Sequence, residues 1–161
     1  MDKHEERNQH GDLVVPVELK SDNAKLPNYD HKGLGNGREN VGADMYSSES
    51  VRLEPGEAAI VPVGVGVAIP VGYGGFVHPR SSLSGKGLVV IPNSPGTIDP
   101  GYIGEVKVSL LNLSKKPVDI NEGDRIAQLV VQKVEHCDFV VVDKLDDSTR
   151  GCLLYTSPSP T

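Results

Sequence analysis

A chain of 161 residues and 17.2 kDa has room for a single domain with short tails. Its net charge of −6 and isoelectric point near 5.3 exclude a general nucleic-acid-binding surface, which needs a basic face to neutralise phosphates. They leave open a small anion met by a few converging cations. No window approaches the roughly 18 consecutive apolar residues of a membrane span, and the polar start MDKHEERNQHG lacks a secretory signature, so the chain reads as a cytoplasmic protein with no membrane partner.

Aromatic residues make up 4% of the chain and Trp is absent, so the core must be aliphatic. The 18 Gly and 12 Pro favour short strands and turns over helices. Residues 1–11 read as a disordered leader, 12–144 as the domain and 145–161 as a C-terminal tail. A strand-like start falls at residues 13–17, and the Gly-, Asn- and charge-rich stretch 27–40 reads as a long loop. From Val51 the pattern is β. Val61, Val63, Val65, Val67 and Ile69 alternate with Pro62, Gly64, Gly66, Ala68 and Pro70, a period of two with one apolar face.

Further strands are predicted at residues 75–78, 88–91, 105–111, 125–132 and 139–142, separated by clusters such as Glu54-Pro55-Gly56, Asp99-Pro100-Gly101 and Asn121-Glu122-Gly123-Asp124. Many short strands between turn clusters predict an all-β antiparallel sandwich or jelly roll. A long helix is hard to place anywhere. Cys137 and Cys152 have no metal-type spacing and read as free thiols.

Four segments carry chemistry. In HPRSSLSGKG (78–87) an arginine fork, two hydroxyls and a Gly-rich turn follow a strand end, the parts of an anion nest; a solvated basic turn fits the same residues. In PNSPGTIDPGYIGE (92–105) two Gly/Pro turns flank a short apolar stretch. Such a hairpin can present backbone groups to the edge of a base and hold the Asp99 carboxylate, half buried, as a general base for water. Asp99 is equally the residue type that opens an Asx turn. In GDRIAQLV (123–130) strand alternation sets Arg125, Ala127 and Leu129 on one face and Ile126, Gln128 and Val130 on the other. Gln128 on an apolar face then needs a partner, met by a ligand or by backbone. VGADMYS (41–47) places the isolated acid Asp44 among small and apolar residues, and alone says little.

In order and spacing these segments resemble the trimeric dUTP pyrophosphatase (dUTPase) family. VGADMYS looks like its first motif, PRSSLSGKG its second, NSPGTIDPGYIGE its third and GDRIAQLV its fourth. The resemblance runs from about Leu13 to Arg150 and is closest to the actinobacterial and actinophage branch. It implies a β jelly-roll subunit, a homotrimer with shared active sites, and hydrolysis of dUTP to dUMP and pyrophosphate. That reaction limits uracil incorporation into DNA and supplies dUMP for thymidylate synthesis. Carried over by position, Asp99 would deprotonate the attacking water, and Tyr102 would lie under the deoxyribose and exclude a 2′-hydroxyl. Asn93 and the backbone around Gly96, Thr97 and Ile98 would read the uracil edge. Arg80, Ser81, Ser82 and Gln128 would hold the triphosphate, Lys107 would line the same site, and Arg150 would also bind substrate. Mg²⁺ would be held mainly by substrate phosphates and water, with no direct protein ligand and with Asp44 helping to order its water shell.

The sequence departs from the family in two places. Ser82 stands where the second motif usually has Gly. Related dCTP deaminases share the arginine-serine-serine run but need a glutamate where this chain, aligned on Asn112, has Ser109, so deamination is not expected. The family's C-terminal arm, Arg-Gly-x-Gly-Gly-Phe-Gly, starts here as Arg150-Gly151, but Leu153 and Leu154 replace flexible glycines and Tyr155 takes the phenylalanine's place. Bulk there hinders positive-φ backbone, which gives the alternative of a dUTP-binding protein with an impaired lid.

Overall fold

The computed structural model describes residues 6–29, 40–81, 83 and 89–145. It is built from β1 (Val17–Leu19), β2 (Ala43–Tyr46), β3 (Val51–Leu53), β4 (Ala58–Val67), β5 (Tyr73–His78), β6 (Val89–Val90), β7 (Gly96–Ile98), β8 (Glu105–Asn112), β9 (Val118–Ile120) and β10 (Arg125–Lys133). One four-stranded sheet has the order β1-β4-β8-β6 and a second the order β2-β10-β5-β7, with β3 and β9 as a two-stranded ribbon. The pairings are antiparallel. This is the all-β, jelly-roll-like architecture expected. No helix among the described residues is long and apolar enough to cross a membrane.

The alternating valines explain the centre. Val61, Val63, Val65 and Val67 are at most 1% exposed, and β8 adds Val106, Val108 and Leu110 from the neighbouring strand. Met45, Val77, Ile98, Ile126 and Leu129 complete the core from the other sheet. Each such side chain contributes roughly 1.5–3 kcal/mol of burial, so the aliphatic core needs no tryptophan. Pro62 is tolerated inside β4 because its carbonyl, bonded by the Ser48 N–H at 3.0 Å, points away from β8. The N–H that proline lacks would point the same way, where β1 pairs only with residues from Val65 onward.

Buried polar groups are paired. Asn112, 0% exposed, donates to the carbonyls of Leu53 at 2.9 Å and Lys116 at 2.8 Å. Its Oδ1 accepts from the N–H and hydroxyl of Ser114. Ser47 joins the first and fourth motifs: its N–H donates to the Asp124 carbonyl, and the Gly123 N–H donates to its own carbonyl, both at 2.8 Å.

Several expectations are corrected. Regular strand begins at Val17, with Leu13 only in an isolated bridge to Arg7. Residues 6–13 close a small loop in which the Asn8 N–H donates to the Asp12 carbonyl at 2.9 Å. Residues 139–142 form no strand; Phe139 is 92% and Val141 95% exposed, because an apolar run without a neighbouring strand has nothing to pair with. In β10 a bulge between Arg125 and Ala127 re-phases the alternation. Ile126 and Ala127 are both 0% exposed, so Ile126 does not share the face of Gln128.

Candidate active site

The turn after β7 decides where Tyr102 lies. Asp99-Pro100-Gly101-Tyr102 closes through the Tyr102 N–H donating to the Asp99 carbonyl at 3.1 Å. Pro100 suits the second turn position, and Gly101 takes φ +94°, which that turn demands at its third position. The tyrosine ring then lies against Gly104, where an added Cβ would stand 2.9 Å from the phenol oxygen. Its hydroxyl donates to the Glu105 carbonyl at 2.8 Å. The ring is pinned at one end and remains 47% exposed.

Beside it is a cleft of about 170 Å³ lined by Asn93, Gly96, Thr97, Ile98, Tyr102, Lys107 and Ser109, with Val77, Ile91, Val106 and Val108 as its apolar part. Small-molecule sites have this mixture of apolar lining and a few placed polar groups. β7 pairs with β5 through Gly75↔Ile98, Phe76↔Thr97 and Val77↔Gly96 and is the edge strand of its sheet. Its outer backbone edge has no neighbouring strand in the sheet.

The second constellation is a pair of arginines on a buried carboxylate. Register sets Gln128 opposite Asp44 on one side and opposite His78 on the other. The first, second and fourth motifs therefore meet across three adjacent strands. The Asp44 side chain is 3% exposed; its Oδ1 accepts from Arg80 Nε at 2.6 Å and its Oδ2 from Arg125 at 3.2 Å. Burying that carboxylate alone would be costly, and the guanidinium groups offset the lost hydration. Gln128 donates to the Pro79 carbonyl at 2.9 Å, bracing the residue before Arg80. Gly42 makes room, since a Cβ there would approach Gln128 Cδ to 2.9 Å. Ser81 is exposed on a helical turn whose Leu83 is buried.

The structure thus gathers Asn93, Gly96, Thr97, Ile98, Tyr102 and Lys107 around one cleft, and Asp44, Arg80 and Gln128 in another place. Among the described residues the cleft lining does not include Asp99, Arg80, Ser81 or Gln128. Asp99 is exposed rather than half buried, because the turn projects it past the end of β7. Ser82, Arg150 and the arm residues 151–155 lie outside the described residues. The sequence reading missed Arg125, Gly104 and Glu105. The glycine and glutamate after Tyr102 were a legible signal, whereas the role of Arg125 depends on the bulge.

The sequence model of the dUTPase family matches residues 34–154. The chain belongs to the dUTPase family. The deoxyuridine 5′-triphosphate nucleotidohydrolase of Thermobifida fusca is 46% identical over 142 residues, covering 88% of this chain and 76% of that protein. Its counterpart from Leifsonia xyli is 50% identical over 138 residues, covering 85% and 87%. Among solved structures, the dUTPase of Staphylococcus bacteriophage 80alpha with dUpNHpp is 30% identical with a TM-score of 0.74, covering 86% of this chain and 94% of that one. A mutant dUTPase from phage phi11 of S. aureus, described with a structural Mg(II) ion, is 31% identical with a TM-score of 0.72, covering 83% and 99%.

Ser109, on which the expectation against deamination rests, lines the cleft of this chain. Among the described residues no group of three or more His, Cys, Asp or Glu side chains is placed to hold a metal ion. Asp44 was expected in the water shell of Mg²⁺; here its oxygens are bonded by Arg80 and Arg125.

Proposed function

We propose that this chain hydrolyses dUTP to dUMP and pyrophosphate in the cytoplasm, keeping uracil out of DNA and supplying dUMP for thymidylate synthesis. The observation that carries the reading is the edge position of β7 beside the Tyr102 cleft. Backbone N–H and C=O groups on that edge, with the Asn93 amide, match the uracil edge. A cytosine presents the opposite pattern and would leave them unpaired. The pinned Tyr102 ring lies under the deoxyribose and leaves no room for a 2′-hydroxyl. Arg80, Ser81, Ser82 and Gln128 hold the triphosphate, Lys107 lines the same site, and Arg150 also binds the substrate. Asp99 takes the proton of a water attacking the α-phosphorus, and pyrophosphate leaves. Substrate phosphates and water would hold Mg²⁺, which would supply neutralisation of phosphate charge.

The active unit of this reading is a homotrimer. Support comes from the separation of the Tyr102 cleft from the Arg80 constellation and from the exposed apolar residues 139–142, which call for a partner surface. Relatives named for the same hydrolysis cover most of the chain. The lid-impaired binding protein and the deaminase are not favoured.

Pyrophosphate release from dUTP, dCTP, dTTP and UTP, with Mg²⁺ and after chelation, tests the reading. Release from dUTP alone is expected, lost on chelation and restored by added Mg²⁺. Comparable release from UTP would remove the role given to Tyr102, and ammonia release from dCTP would replace the reading with deamination.

A further inference from the structure

The fold accounts for the valines of β4; the glycines between them face another task. Gly64 takes φ +71° in the irregular stretch of β4 between Pro62 and Gly66, and its N–H donates to the Glu105 carboxylate at 3.1 Å. Gly66 pairs with Glu105 in register. A Cβ on Gly66 would stand 3.1 Å from the carbonyl oxygens of both Ile103 and Gly104, so its absence lets the backbone behind Tyr102 seat closely on β4. Gly104 in turn leaves room for the Tyr102 ring, and the Glu105 carbonyl accepts the tyrosine hydroxyl at 2.8 Å. Glu105 therefore joins both ends: its side chain binds the β4 bulge, and its backbone binds the ring.

We propose that Glu105 is a positioning residue for Tyr102, and that the brace from the Gly64 bulge through Glu105 sets the discrimination between deoxyribose and ribose. The proposal rests on the reading of Tyr102 as the sugar-facing surface of a dUTP site. Ribose differs from deoxyribose by one oxygen, so exclusion depends on holding the ring within a fraction of its own thickness. Displacements of about 1 Å in such positioning groups cost up to ~10²-fold in rate. A carboxylate accepting a backbone N–H restrains the start of β8 more firmly than a neutral contact. Gln at this position still offers an acceptor, whereas Ala offers none.

The test is the ratio of kcat/KM for dUTP to that for UTP, measured by pyrophosphate release with thermal stability recorded in parallel. Glu105→Ala is expected to lower the ratio about tenfold, with Glu105→Gln within about threefold of the native chain. An Ala variant that keeps the native ratio overturns the proposal, whatever its stability. If Glu105→Ala does not fold, Gly104→Ala pushes the ring directly while leaving the carboxylate in place. It too should lower the ratio, and an unchanged ratio overturns the proposal. A native chain with no preference for dUTP over UTP removes the underlying reading and the brace together. A native preference that survives in both variants removes the brace alone.

Discussion

At 3% exposure, the Asp44 carboxylate has guanidinium groups in place of its lost water. Removing it leaves Arg80, itself 11% exposed, without the acceptor of its Nε. Asp44→Ala should therefore cost about 3 kcal/mol, the low end for a broken buried pair, since Arg125 at 43% exposure keeps its contact with solvent. Urea unfolding measures the loss, and dUpNHpp affinity should fall with it because Arg80 is no longer held. Asp99 is the opposite case. It is exposed, so Asp99→Asn should leave the unfolding midpoint unchanged and keep dUpNHpp binding, while turnover drops about 10²–10⁴-fold. A fully active Asn variant would rule out Asp99 as the base. Asp99 was legible from its Pro-Gly turn and its motif, although its exposure was not. Asp44 says little in sequence because its meaning depends on Arg125, which comes beside it only through the pairing of β2 with β10.

Elements differ in how much of themselves the sequence declares. β4 and β8 were legible because a long period-two pattern of valines has one physical solution, a strand with one face in the core. β2, β3, β7 and β9 have four residues or fewer, too short for periodicity to separate from turn sequence. Residues 139–142 have strand composition but no strand beside them within the chain, so composition alone misleads there. The irregularity in β4 was signalled by Gly64 without its purpose being readable, since the groups that explain it lie on β1's loop and on β8. A Cβ at Gly64 would fall 2.5 Å from Ser21 Oγ and 2.9 Å from the Ala24 Cβ, and φ +71° adds a left-handed cost of about 1–2 kcal/mol for any L side chain. Gly64→Ala should thus destabilise the fold by about 2–4 kcal/mol once overpacking is added. Chemical denaturation measures this, and a near-neutral result would show that the bulge relaxes freely.

At the scale of the whole molecule, the question is which chain completes which site. The residues assigned to base and sugar line one cleft together with Lys107, whereas Arg80, assigned to phosphate, sits on Asp44 outside that lining. If one chain supplied both halves, two chains each defective in a different half could never make a working site. If neighbouring copies supply them, mixing restores function, because each defective half meets an intact one across an interface. The pair to mix is Asp99→Asn, which keeps Arg80, with Arg80→Ala, which keeps Asp99. Co-refolded in equal amounts, they should recover about a quarter of native turnover, the chance that a site draws each half from the chain that has it intact. Each variant alone should stay near background, and light scattering on the mixture should give three copies. Recovery confined to background, in particles of that size, would mean that each chain builds its own site. The exposed Phe139 and Val141 would then need another partner.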